Sequence, residues 1–245
     1  MTAPPPSPDP ARGLFETLLV AEERPVALAR HLERLARSAR DLYGAELPPE
    51  LAVEAIAACA GVSLGRERID VSFEAGRARE WTAVAVAIDP AEFFPPWERG
   101  AALRTVAAPD WSGAHKLADR DWLERTEAGL GAAVPLLLGA EGAVLEAGRA
   151  NVFAVLDGVL ATPPLDGRIL PGTARAAAVE VAGELGIEVA ARPLSAEDLR
   201  RGGEVFLTSS VRGIRPARSL DGVELPGHAT TDRLAEALRR RWLED

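Results

Sequence analysis

The chain has 245 residues, 47% hydrophobic and 27% charged, with a formal net charge of −9. That length buries a sizeable core as one large or two smaller domains. The acidic balance excludes a basic face for nucleic acid or an anionic membrane. A single cysteine, Cys59, excludes a disulfide framework, and no apolar run is long enough to span a bilayer, so a cytoplasmic protein is expected.

The opening MTAPPPSPDPAR, residues 1–12, reads as a flexible Pro-rich lead-in. FETLLV predicts a strand. Leu28, Leu32, Leu35, Ala39 and Leu42 recur at three- and four-residue steps, which predicts an amphipathic helix ending at Gly44. PPELAVEAIAACAG predicts a second helix, with Pro at its start and Gly after its end. RIDVSFEAG and WTAVAVAID predict a hairpin, and AALRTVA a further strand. Residues 13–107 thus read as a small N-terminal α/β domain.

APDWSGAH, residues 108–115, breaks the pattern with Pro, Gly and Ser and is the expected linker. Residues 116–245 then form the C-terminal domain. It starts with a helix from about 117 to 128, with Lys116 at its beginning. VPLLLG, AVLEAG and NVFAVLDGVLAT predict short strands, with a hairpin turn at Asp157-Gly158. The loop PPLDGRILPG leads into the helix TARAAAVEVAGELG, closing at Gly186. Ser195 caps a short helix with Asp198 three residues on. EVFLTSSV is a strand, and TTDRLAEALRRRWLE a terminal amphipathic helix. The fold class is α/β (α+β), in two domains.

The chain holds 27 arginines and one lysine, Lys116. GC-rich coding accounts for scarce lysine in general but not for the one retained. Lysine can lose its proton when desolvated and add to a carbonyl as an imine; arginine cannot. Other chemistries find little support. GLGAAV lacks the third glycine of a dinucleotide loop, and there is no G-x-S-x-G elbow or Walker loop. His31, His115 and His228 stand far apart with no cysteine partner, so no metal site is expected.

The commonest imine cofactor is pyridoxal phosphate, which needs a carboxylate at its ring nitrogen, an arginine, and a helix N-terminus for its phosphate. Glu146 ends an apolar strand in GAVLEAGRANVF, and Arg34 lies in the helix segment RHLERLARSA. RILPGTARAAAVEV runs a Pro-Gly loop into a helix whose first turn carries the amides of Thr173 and Ala174.

In order, GLFETLLV, HLERLARSA, HKLADR, VLEAGRANVFAV, ATPPLDGRILPGTAR and EVFLTSSVRGIRPA resemble the fold type IV pyridoxal-phosphate family, which holds branched-chain and D-amino-acid aminotransferases and aminodeoxychorismate lyase. The resemblance implies a two-domain fold with the cofactor between the domains, usually as a homodimer. By it, Lys116 carries the cofactor as an imine and moves the proton, and Glu146 pairs with the ring nitrogen. Arg34 binds the phosphate with the amides of Thr173 and Ala174 and with Ser209 and Ser210. Asn151 and Phe153 shape the pocket, and Arg104, Arg212 and Arg215 are candidates for substrate carboxylates.

HKLADR resembles the lyase pattern, with Arg120 four residues after the lysine. Aminotransferases of the family tend to place a tyrosine five residues after it, where this chain has Asp121. The whole is most similar to aminodeoxychorismate lyase, including the lyase portion of fused synthase–lyase proteins. The expected reaction converts 4-amino-4-deoxychorismate to 4-aminobenzoate and pyruvate in folate biosynthesis, with an aminodeoxychorismate synthase as candidate partner. The alternatives are a class IV aminotransferase, or a catalytically weak member serving as a binding subunit. Two positions depart from the family: Ala174 lacks the hydroxyl often found there, and Leu117 replaces a threonine or serine.

Overall fold

In the computed structural model, which describes residues 8–225 and 227–244, the chain packs as two units. Residues 8–93 form the first, together with 115–120 and 242–244; residues 94–114 and 121–241 form the second.

The first unit contains β1 (Leu14–Ala21), β2 (Arg24–Pro25), α1 (Leu28–Tyr43), α2 (Leu51–Ala58), β3 (Leu64–Glu74) and β4 (Arg77–Ala87). Its antiparallel sheet has the order β2-β1-β3-β4. The two-residue period of a strand separates faces. In β3, Gly65, Glu67, Ile69 and Val71 are buried, whereas Arg68 and Asp70 are half-buried on the other face. Leu35 and Ala39 of α1 pack on Leu14, Leu18, Ile69 and Val71 to form the core. The helix stops as the sequence predicts, at Gly44 with φ 61°, a left-handed conformation that glycine adopts without penalty.

The second unit contains β5 (Ala101–Ala107), α3 (Asp121–Leu130), β6 (Val134–Leu138), β7 (Asn151–Leu156), β8 (Val159–Thr162), α4 (Thr173–Glu184), β9 (Val189–Ala191), α5 (Ala196–Gly202), β10 (Glu204–Ser209), β11 (Gly213–Leu220), β12 (Val223–Glu224) and α6 (Ala229–Glu244) except for its last turn. The sheet runs β6-β5-β11-β10-β7-β8-β9, with β12 paired to β11. Asp157 and Gly158, both at positive φ, turn β7 into β8 as expected.

Three expectations change. β5, placed by sequence order with the first domain, instead lies between β6 and β11, parallel to both. Its Ala101 and Leu103 are buried with Leu136, Ala217 and Leu220, and that packing rather than proximity along the chain decides its sheet. Next, α3 begins at Asp121, not near 117. Residues 116–118 run extended along β1: the Phe15 amide donates to the Lys116 carbonyl at 3.0 Å and the Ala118 amide to Gly13 at 2.9 Å. That pairing satisfies the open edge of β1 and draws 116–118 into extended backbone. Finally, of the expected flexible lead-in, residues 1–7 lie outside the described residues, while 8–12 are tied down. The Asp9 amide and the Arg12 guanidinium donate to Asp119 at 2.8 and 3.0 Å.

Candidate functional site

Lys116 is held from both sides within the first unit. His115 Nδ1 lies 3.0 Å from Ser38 Oγ on α1, and Asp119 holds Arg12 as described. The alternation of β1 turns Glu16 toward α1, where His31 and Arg34 are one helical turn apart. Glu16 is completely buried and accepts Arg34 Nε at 2.8 Å, Arg34 Nη2 at 2.6 Å and His31 Nδ1 at 2.8 Å. Burial raises the Glu16 carboxyl, but the Arg34 charge and the His31 and Arg34 hydrogen bonds outweigh it and hold it well below the carboxylate range. Burial depresses His31 below the usual imidazole value, its hydrogen bond to Glu16 offsetting this only in part. Arg34 is therefore a buried, oriented guanidinium. Glu16 was missed in the sequence; an acid inside the apolar run FETLLV was the available signal.

Phe15 occupies the opposite face of β1 and is 4% exposed. Three cations surround its ring: Arg68 Cζ at 4.1 Å from the centroid, Lys116 Nζ at 4.5 Å and Arg120 Cζ at 5.5 Å. One cation over a ring gains ~0.5–1 kcal/mol at a partly exposed site. Like charges brought this close to one another repel, and Asp70 offsets only the Arg68 charge. The fold thus holds like charges together, and the amine responds. Burial first, then Arg34, Arg120 and Arg68, lower Lys116 to about 7, against the opposing pull of Glu16.

The second unit gathers Glu146, Asn151, Thr173, Ser210 and the loop 168–172. Glu146 is 4% exposed and accepts Trp111 Nε1 at 2.8 Å and the Leu170 amide at 3.1 Å. Asn151 donates through Nδ2 to the Leu170 carbonyl at 2.9 Å. Both sides of one loop residue are thereby fixed, which aims the chain into α4. The N-cap of α4 is Gly172, which supplies no side-chain cap to the first turn of the helix. A Cβ at Gly172 would strike Asn151 Oδ1, and one at Gly113 would strike Glu146 Oε1. Thr173 Oγ1 lies 3.0 Å from Ser210 Oγ, and Ser209 Oγ accepts the Arg212 amide at 3.3 Å.

The donor set fits pyridoxal phosphate. A near-neutral amine can add to an aldehyde, a buried carboxylate with neutral donors can hold a protonated ring nitrogen, and an uncapped helix N-terminus with hydroxyls suits a phosphate. Arg104, Arg212 and Arg215, the candidates for substrate carboxylates, all lie in the second unit. Arg215 donates to the carbonyls of Arg99 and Gly100 at 3.2 and 3.5 Å, and Arg104 and Arg212 are exposed side chains. Arg68 and Arg120, which the sequence did not mark for this purpose, are the cations beside Lys116.

A family model, amino-transferase class IV, matches residues 13–220. The branched-chain-amino-acid aminotransferase of Escherichia coli K12 is 42% identical over 90 residues, covering 37% of this chain and 29% of that protein. The chain thus spans under a third of the length of this curated relative. A hypothetical aminotransferase from Mycobacterium tuberculosis, in apo form, superposes with a TM-score of 0.81 at 27% identity, covering 96% of this chain and 90% of that one. The same protein is also known bound to pyridoxal phosphate. A Legionella pneumophila protein, provisionally named 4-amino-4-deoxychorismate lyase, shares the fold with a TM-score of 0.78 at 24% identity, over 94% of this chain and 91% of that one.

Proposed function

The chain belongs to the class IV aminotransferase family, whose members use pyridoxal phosphate, and from that premise we propose that it is a lyase converting 4-amino-4-deoxychorismate to 4-aminobenzoate and pyruvate. The observation that carries the chemistry is Lys116, an amine lowered to about 7 and so largely able to shed its proton at neutral pH. Lyase is favoured over amine transfer by Asp121. That residue opens α3, where its charge suits the helix dipole and no phenol hydroxyl is supplied.

Bound pyridoxal phosphate supplies an aldehyde for the amine and an electron-withdrawing ring. Glu146 holds the ring nitrogen, and Arg34, Thr173, Ala174, Ser209 and Ser210 hold the phosphate. Asn151 braces the loop that carries these donors. Lys116 removes the C4 proton of the substrate as the enolpyruvyl ether leaves as pyruvate, and it later helps release the product. The aromaticity gained drives the elimination, so no keto acid is consumed. The same reading takes the enzyme as a homodimer working on a small anionic substrate supplied by an aminodeoxychorismate synthase.

The names of the Escherichia coli and Mycobacterium tuberculosis relatives favour a second reading, an aminotransferase. One assay separates the two. Release of pyruvate and 4-aminobenzoate from aminodeoxychorismate without a keto acid is the expected result, abolished by Lys116→Arg, which keeps the charge and removes the nucleophile. Keto-acid-dependent turnover of an amino acid, with no pyruvate from aminodeoxychorismate, would sink the lyase.

A further inference from the structure

We propose that Trp111 is a positioning residue: its indole N–H, bonded to Glu146, keeps the proton shared by Glu146 and the cofactor ring nitrogen on the nitrogen. The inference rests on the reading that Glu146 holds that nitrogen, and it names the side chain that sets how well Glu146 does so.

The geometry lies wholly within the second unit. Residues 108–113, part of the expected linker, are anchored along their length. The Ala108 amide donates to the Leu138 carbonyl at 2.7 Å, the Trp111 amide to Ala108 at 3.1 Å and the Gly113 amide to Arg168 at 2.9 Å. The indole packs on a cluster that includes Val106, Leu137 and Ile169, and its ring centroid lies 5.8 Å from that of Trp122. So held, Nε1 donates to Glu146 Oε1 at 2.8 Å, while Oε2 accepts the Leu170 amide at 3.1 Å. Gly113 makes room for the pair, because a Cβ there would strike both Glu146 Oε1 and Trp111 Nε1.

An ionised carboxylate offers about four lone-pair positions, so an oxygen that accepts one donor can still accept another. A hydrogen bond donated to a carboxylate stabilises its charged form and lowers its basicity. Where a carboxylate and a pyridine nitrogen share one proton, each such donor therefore shifts the proton toward nitrogen. Glu146 is 4% exposed, so water competes little with the indole for the carboxylate. A protonated ring nitrogen is what makes the cofactor ring electron-withdrawing, and Trp111 supports it without having to touch the cofactor.

Nitrogen-15 NMR tests this on protein loaded with pyridoxal phosphate labelled at the ring nitrogen and titrated with base. The wild type should show a protonated nitrogen, and Glu146→Gln should release that proton at lower pH. Trp111→Phe keeps an aromatic ring and removes the donor, so its protonation midpoint should fall by about one pH unit, a tenfold weaker hold on the proton. Gly113→Ala, which crowds the bond, should lower the midpoint as well and decides the matter if Trp111→Phe fails to fold. Trp122→Phe alters the packing on Trp111 but leaves its N–H, and should keep the wild-type midpoint. A wild-type midpoint in Trp111→Phe and Gly113→Ala, or an equal fall in Trp122→Phe, would overturn the role of Trp111. A ring nitrogen that Glu146→Gln leaves unchanged would instead sink the reading of Glu146 itself, so the two failures are told apart.

Discussion

Lys116 is basic or nucleophilic according to which neighbours dominate it. Burial and three arginines press its amine to about 7, and Glu16 pulls the other way. Only the neutral amine adds to an aldehyde. The rate at which apoprotein gains the visible cofactor band should therefore climb about tenfold per pH unit below 7 and level off above about 8. Glu16→Gln removes the one carboxylate that raises the amine, so the midpoint should move to lower pH. Stopped-flow absorbance across pH 5–9 measures both profiles, and a shift to higher pH in the variant would show that Glu16 does not act on Lys116. The sequence disclosed the lysine by its rarity. It hid Glu16, because partnership across α1 and β1 depends on which face each strand residue takes.

At the scale of elements, β3 turns Arg68 toward Phe15 on one face and Glu67 into the core on the other. Glu67 is completely buried on the core face, with Cys59 Sγ 3.7 Å from Oε2. Burial pushes its carboxyl up to about 7. A carboxyl with a folded pKa above its unfolded value binds more protons folded than unfolded. Its stabilisation is full below about 4.5 and is lost as pH rises through 7. The loss is about 3 kcal/mol. Glu67→Gln keeps the shape and cannot ionise, so it should match the wild type at pH 4 and exceed it by about that amount at pH 8. Urea midpoints measured at the two pH values check this, and equal midpoints at both would refute it. The turns at Gly44 and Asp157-Gly158 and the cap at Ser195 were legible because local geometry demands those residues. The start of α3 was not, because residues 116–118 are claimed by the edge of a strand a hundred residues earlier.

For the molecule as a whole, the same limit decides what could be read in advance. Glu146, Thr173 and Ser210 could be marked as candidates because their motifs are local, but Arg68 and Arg120 come together only when β1, β3 and residues 115–120 pair. β5 joined the sheet of β6, which follows it, rather than that of β4, which precedes it. Gathering cations in that way has a cost to the fold, and the cost has a pH signature. Lys116 has a folded pKa of about 7 against 10.5 when unfolded, so between those values the unfolded chain binds more protons and stability rises with pH. Glu67 acts oppositely below 7, so these two groups together place a minimum in stability near neutrality. Lys116→Met removes the charge while retaining a long side chain. The apoprotein variant should be more stable than the wild type by roughly 2–3 kcal/mol at pH 7, after allowance for solvent reaching the half-buried amine. That gap should close toward pH 10.5, where the wild-type lysine is neutral in the fold and close to half-neutral when unfolded. Adding Glu67→Gln should remove the remaining slope that these groups contribute between pH 4.5 and 10.5. Denaturant titrations of the four apoproteins across that range measure it. A Lys116→Met variant less stable than wild type at pH 7 would mean that the amine supports the fold rather than straining it.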